Sequence, residues 1–452
     1  MDLLQLFTGS WPLFLLGILV MAVGIALSIA LHEVGHLIPA KLFGVRVTQY
    51  MVGFGRTVFS RRRGETEYGI KAIPLGGYIS MIGMYPPSKG GTATADSTGL
   101  FQQLAAETRS VEEGRLLPGD EDRQFYRLPI HRRIVIMLGG PLMNLLIGIV
   151  CLSVVVTGFG TAQPSTTVAS VSQCVQKVQA GQEDAAQQCG PGDPQSPALA
   201  AGLEPGDRIV SFDGQAVGSW EQLNGLIRDG GDRRVPVVVE RDGAEVALSI
   251  EPIVTERPVL DASGLPVLDD AGQYETVPVG FIGVGPTQEL VPGSITEVPA
   301  VVGQTFGQIV GVIVKLPVRL WEVGAALFTD QERPADSPMS VVGVGRVAGE
   351  LTATDRIPTD AKVASLISVL GTLNFSLFMF NLLPLLPLDG GHVAGALWEG
   401  LRRAWARLRR RADPGPFDPV RMLPLTYGVA AAFIGMTVLL IAADIFDPVR
   451  VF

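Results

Sequence analysis

Between Trp11 and Leu31 the chain carries no charged residue. As a helix rising about 1.5 Å per residue, a run of that length reaches roughly 30 Å, the depth of a bilayer's hydrocarbon core. Lipid offers no hydrogen-bond partners to the backbone, so a single crossing segment must satisfy its own N–H and C=O groups, which a helix does. Ile134–Phe159, Val363–Leu388 and Leu425–Ile445 are further apolar runs of similar length. The expected fold class is therefore an α-helical polytopic membrane protein with about four spans. The 304–327 stretch is apolar too, but Lys315 and Arg319 interrupt it, which predicts an amphipathic helix on or partly in the interface, with a fifth span as the alternative. The first run does not read as a cleavable signal, because Asp2 rather than a cationic segment precedes it.

Hydrophobic residues make up 47% of the 452 and charged residues only 17%, an imbalance that excludes an ordinary soluble enzyme. A net charge of −9 argues against nucleic acid as a partner. Basic residues fall between spans one and two (Lys41, Arg46, Arg56, Arg61, Arg62, Arg63, Lys71, Arg132, Arg133) and between spans three and four (Arg402, Arg403, Arg407, Arg409, Arg410, Arg411). That bias places both loops in the cytoplasm, and the 160–360 region outside with both termini. Cys151 falls within span two as a small core residue. Cys174 and Cys189 lie in the external region, where a disulfide is open to them but sequence nearness does not establish one.

The chain divides by pattern into 1–43, the first span; 44–83, a β-hairpin loop; 84–133, a cytoplasmic loop with one short helix near 99–108; 134–160, the second span; 161–256, a compact α/β unit; 257–360, an external extension that includes the amphipathic helix; 361–398, the third span; 399–422, a basic cytoplasmic loop; and 423–452, the fourth span. The 44–83 loop alternates apolar and polar residues and is punctuated by glycines, which predicts several short strands in hairpins. In the α/β unit, Gly202, Leu203, Gly206, Asp207, Ile209 and Gly214 stand in the order G-L-x-x-G-D-x-I followed by a D-G turn. This resembles the bacterial, circularly permuted PDZ module, with a helix expected over Ser219–Arg228 and strands over Arg234–Arg241 and Ala244–Pro252. Residues 256–298 are strand- and turn-rich and take no assignment.

The chemistry concentrates at the end of the first apolar run. His32, Glu33 and His36 spell H-E-x-x-H, using two of the chain's four histidines. On a helix the two imidazoles share one face and can reach one metal ion, while the glutamate beside them can take a proton from water. Ionisable groups on an apolar segment are costly and usually functional. A catalytic zinc takes three protein ligands. Asp389, in N-L-L-P-L-L-P-L-D-G-G-H, is the preferred third, with His392 as a competitor. Pro384 and Pro387 interrupt the helix there, and freed backbone inside a membrane is tolerated where it lines a protein cavity.

H-E-x-x-H in a first span, a PDZ-like module outside and N-x-x-P…L-D-G-G in a later span together resemble the site-2 protease family of intramembrane zinc metalloproteases, in its bacterial branch that cleaves anti-sigma factors. The resemblance covers nearly the full length. It implies one zinc ion on His32, His36 and Asp389, with Glu33 as general base. It implies that Asn381 holds an unwound substrate, and that Asn144 in G-G-P-L-M-N contacts substrate or backbone, with plain helix packing as the alternative. Gly53, Phe54 and Gly55 match the family's substrate-binding re-entrant β-loop, although Arg56 stands where proline is common and Pro387 follows Asn381 by six residues rather than five. The implied partners are the lipid bilayer and a single-pass transmembrane substrate, a pre-trimmed anti-sigma factor or else a remnant signal peptide. The implied place is the bacterial inner (cytoplasmic) membrane, with the PDZ module outside to filter or recruit substrates. A membrane PDZ receptor or scaffold and a metal transporter are the competing classes; neither gives Glu33 a role.

Overall fold

In the computed structural model the uncharged run becomes helix α1, Trp11–Leu42, which continues through H-E-x-x-H without a break. The structure describes residues 11–86, 116–175, 189–190, 192–259, 274–329, 333, 337–355 and 357–449, so the helix expected near 99–108 lies outside the described residues. Two units form: one from the chain up to Phe159 and from Gly293 onward, the other from Gly160–Pro292.

After α1 the first unit contains strands β1 (Val47–Arg63) and β2 (Thr66–Met81). Both are bent at mid-length, β1 at Gly53 and Gly55 and β2 at Gly76, all three glycines holding positive φ. Segment 49–52 consequently has partners on two sides, 67–70 and 77–80, and 59–62 pairs with the outer side of 67–70. The expected set of short strands is thus two long strands folded back on themselves, because glycine permits the left-handed turns in mid-strand.

Helix α2 (Ile130–Val154) packs on α1 through its buried face of Ile136, Met137, Gly140, Pro141 and Asn144. Gly35 and Gly139 stand back to back, and a Cβ on either would overlap the other's carbonyl. Such small-residue contacts let membrane helices approach closely where no hydrophobic effect drives them together.

In the second unit β3 (Thr161–Val171), β4 (Arg208–Phe212), β5 (Gln215–Ala216), helix α3 (Trp220–Asp229), β6 (Val235–Arg241), β7 (Ala244–Ile250), β8 (Ile253–Pro258), β9 (Thr276–Phe281) and β10 (Val284–Val291) follow in chain order. The main sheet runs β10-β3-β4-β6-β7 with β5 beside β4, and β8 and β9 pair separately. β6 alternates strictly, sending Val235, Val237 and Val239 into a core that also holds Ile209, Phe212, Leu223, Ile227 and Ile250. Ser219 caps α3, so the helix sits one residue later than expected. The unassigned stretch supplies the end of β8 and all of β9 and β10. Asp207 is buried and accepts bonds from Arg241 Nε at 2.6 Å, Arg241 Nη2 at 2.7 Å and the Glu204 amide at 2.9 Å. The Arg241 guanidinium holds its carboxyl below the usual carboxylate range. Cys174 and Cys189 are joined in a disulfide, with Cα atoms 5.9 Å apart.

The first unit resumes with α4 (Val298–Ala326), α5 (Val341–Ala353), α6 (Thr359–Asn381), α7 (Asp389–Leu408) and α8 (Leu423–Phe446). The interruption expected at Pro384 and Pro387 is present, and the expectation of four spans changes. The third apolar run is helical only to Asn381; residues 382–388, with Pro384 and Pro387, separate α6 from α7. The 304–327 stretch is the body of one continuous helix, and among the described residues five helices, not four, are long and apolar enough to cross a membrane. Arg319, one of the two charges that interrupted it, pairs with Glu322 at 2.8 Å one turn on, which lowers the cost of carrying it on an apolar helix. Exposed Leu15, Leu19, Val23 and Leu27 on α1 and Ile434 and Val438 on α8 leave bare apolar surface that a bilayer would cover. A buried ion pair, Arg133 Nη2 to Glu399 Oε1 at 2.7 Å, ties the start of α2 to α7, and the Phe417 amide donates to Glu399 Oε2 at 2.8 Å.

Candidate metal centre

α1 brings His32 and His36 onto one face, their ring centroids 4.8 Å apart and nearly perpendicular. Their Nε2 atoms are 3.2 Å apart. Asp389, the first residue of α7, places Oδ2 3.4 Å from each of them. All three ligand atoms lie within 4.8 Å of one another, and among the described residues this is the cluster of histidine and carboxylate groups able to hold a metal ion. His392, one turn into α7, is not part of it.

The local sequence explains the convergence. Asp389 sits where α7 restarts after the broken segment, and Gly390 and Gly391 allow that start to press against it. A Cβ at 390 would overlap the Leu383 carbonyl, and one at 391 would come within 2.6 Å of the Leu386 nitrogen. Across the cluster, Gly140 of α2 faces both imidazoles. A Cβ there would overlap His36 Nε2 and lie 2.7 Å from His32 Nε2. His36 Nδ1 donates to the Ile136 carbonyl at 2.7 Å. A carbonyl only accepts, so the ring proton is on Nδ1 and Nε2 turns a lone pair toward Asp389, the tautomer a metal requires. One carboxylate and two imidazoles form a donor set suited to zinc.

Glu33 is buried at 7% exposure on the neighbouring side of α1. The Ile79 backbone lies beside its carboxylate. Gly77 lies so close that a Cβ would sit 2.9 Å from Glu33 Cγ. The 77–81 segment of β2 therefore fixes the glutamate from outside α1.

The model of peptidase family M50 matches residues 20–412, most of the chain. The chain belongs to peptidase family M50. This is the site-2 protease family, and among its relatives are proteins named as zinc metalloproteases. The zinc metalloprotease Rip1 of Mycobacterium tuberculosis is 33% identical over 97% of this chain and 100% of its own length. Rip1 of Mycolicibacterium smegmatis is 32% identical with the same coverage. The metalloprotease MmpA of Caulobacter vibrioides is 27% identical over 86% of this chain and 89% of its own. The chain is accordingly a zinc-dependent membrane protease of the site-2 type, and the resemblance to that family holds.

In this M50 chain the other expected site residues lie outside the cluster. Asn381 is the last residue of α6. Gly53 and Gly55 form the bend of β1, where half-exposed Phe54 stacks on Tyr78 with centroids 6.3 Å apart. Asn144 is fully buried with Nδ2 3.1 Å from His32 Nδ1, facing a histidine of the cluster. Sequence reading missed Gly140, the Ile136 carbonyl, Gly77 and Ile79. G-G-P carried a signal only for close packing, and backbone groups leave no mark on residue type.

Proposed function

We propose that the chain hydrolyses a peptide bond within, or at the cytoplasmic edge of, the transmembrane segment of a single-pass protein, holding one zinc ion with His32, His36 and Asp389 and using Glu33 as general base. The observation that carries this reading is the convergence of two Nε2 atoms and one carboxylate oxygen beside a buried glutamate on an apolar helix. When bound, zinc supplies Lewis-acid chemistry, acidifying water and polarising a carbonyl. Glu33, adjacent to His32 in sequence, takes the proton of the attacking water and passes it to the leaving amine. The β2 backbone at Gly77, packed against the side chain, orients the carboxylate. His36 is kept in its metal-binding tautomer by the Ile136 carbonyl.

A transmembrane helix hides its peptide bonds, so the substrate must be unwound before cleavage. The folded-back ribbon offers strand edges to an extended chain, with Gly53, Phe54 and Gly55 at its bend, and Asn381 stands where α6 ends. Both are the proposed substrate contacts. The reading extends to a bacterial cytoplasmic membrane, a pre-trimmed anti-sigma factor as substrate, and the second unit as an external PDZ-type module. The cleft between α3 and Gly280–Val284, lined by Trp220, Asn224 and Ile227 and bordered by the terminal strand β10, supports peptide recruitment there. Remnant signal peptides are the second substrate class.

The test is purified protein with synthetic anti-sigma transmembrane segments in lipid nanodiscs, products sized by mass spectrometry. Cleavage is expected, to stop on chelation, and to return with added zinc. Metal flux into vesicles without peptide products would favour a transporter, and peptide binding without cleavage a receptor; either outcome would overturn the proposal.

A further inference from the structure

Helix α2 offers three successive turns of one face to the histidines of α1: Ile136, Gly140 and Asn144, spaced i, i+4, i+8 and all buried. Ile136 gives a carbonyl to His36 Nδ1, and Gly140 gives room for both rings. Asn144 gives an amide to His32 Nδ1, at 3.1 Å from Nδ2, while its Oδ1 is buried without a partner. An NH2 group facing Nδ1 demands a lone pair on that nitrogen and so puts the ring proton on Nε2. That atom is the one 3.2 Å from His36 Nε2 and 3.4 Å from Asp389 Oδ2. A protonated Nε2 has nothing to offer a metal. The two ends of an asparagine amide have nearly the same shape, and hydrogen bonding assigns which is oxygen. With the amide turned over, Oδ1 accepts the Nδ1 proton, and the lone pair moves to Nε2, as in His36.

We propose that Asn144 is a positioning residue for His32. Its side-chain carbonyl accepts the Nδ1 proton and fixes the ring in the tautomer and orientation that present Nε2 to zinc. α2 then sets the tautomer of both histidines, one through a backbone carbonyl and one through a side-chain carbonyl. The inference rests on the reading of His32, His36 and Asp389 as the zinc set, and it gives Asn144 work on the enzyme's own ligand in place of the expected contact with substrate.

Two measurements on the full-length protein in detergent test it. With four histidines in the chain, ring-¹⁵N labelling resolves each tautomer, and His32 is expected to carry its proton on Nδ1 in both the zinc-free and the zinc-loaded protein. Zinc release to a chromophoric chelator is then compared among wild type, Asn144→Asp, which keeps an acceptor, and Asn144→Leu, which keeps volume but no polar atom. Removing an outer hydrogen-bond partner of a metal-bound histidine weakens metal binding by about 10- to 100-fold. Asn144→Leu is expected to lose zinc by that factor at unchanged helix content, and Asn144→Asp to stay within a few fold of wild type. A packing role would not distinguish the two variants. A His32 proton on Nε2 in the zinc-free wild type, or equal release from wild type and Asn144→Leu, would overturn the proposal. Wild type that binds no zinc at all would overturn the reading of the site and this role with it, which the chelator titration of wild type alone reveals.

Discussion

Gly140→Ala is the smallest change that reaches the metal-binding atoms. The added Cβ would overlap His36 Nε2 and lie 2.7 Å from His32 Nε2, and α2 cannot retreat with it, because Gly139 on the same turn is packed back to back with Gly35. The rings must give way. Turning His36 breaks its 2.7 Å bond to the Ile136 carbonyl. A buried hydrogen bond contributes about 1 kcal/mol, and a ring forced off its rotamer costs about 1 kcal/mol more. Together these amount to about 2 kcal/mol, a loss of roughly 30-fold in zinc affinity. The assay is zinc competition with a chelator of known affinity on purified protein. Gly148→Ala is the control: it is two turns away on the same helix, and the nearest atoms its Cβ would meet belong to the Phe375 side chain, at 3.0 Å. The control is expected to bind zinc as wild type does. Gly140→Ala with wild-type zinc affinity would refute the claim that both imidazoles present Nε2 at this spot.

Further outcomes follow from groups away from the metal. Glu399→Gln leaves the buried Arg133 guanidinium without its charge partner, a change that costs about 3–5 kcal/mol; thermal melting should fall sharply, and replacing both residues by apolar ones should recover much of the loss. In the second unit, the low pKa of Asp207 stems from Arg241, so its stabilisation is complete above the ordinary carboxylate value near about pH 4 and disappears as pH falls below it. Hydrogen-exchange protection of β4, corrected for intrinsic rates, should drop over that acid range in wild type, and the step should be absent in Asp207→Asn.

The features that declared themselves in the sequence are those whose chemistry sits in a few neighbouring residues. H-E-x-x-H named its face of α1 by helical spacing alone, and the prolines after Asn381 marked the break that leaves Asp389 at a helix start. What escaped depends on contacts between segments distant in the chain. Nothing local says that Asn144 faces His32 across 112 positions, or that Ile79 reaches Glu33 with its backbone. That the 304–327 helix is apolar enough to span was hidden because a single-residue view of Arg319 overlooks its Glu322 partner. The ribbon's four-segment order was hidden because strand pairing depends on which glycines turn left-handed, and Gly53, Gly55 and Gly76 look like any others in a glycine-rich loop.

The central claim, that Glu33 is the proton carrier beside a zinc held by other residues, is tested most directly by one comparison: product formed from a transmembrane-segment substrate per mole of bound zinc, in wild type and Glu33→Gln. The account predicts full zinc occupancy in Glu33→Gln with turnover reduced by about 100- to 10,000-fold, the range typical of a lost general base. Turnover per zinc equal to wild type would contradict it.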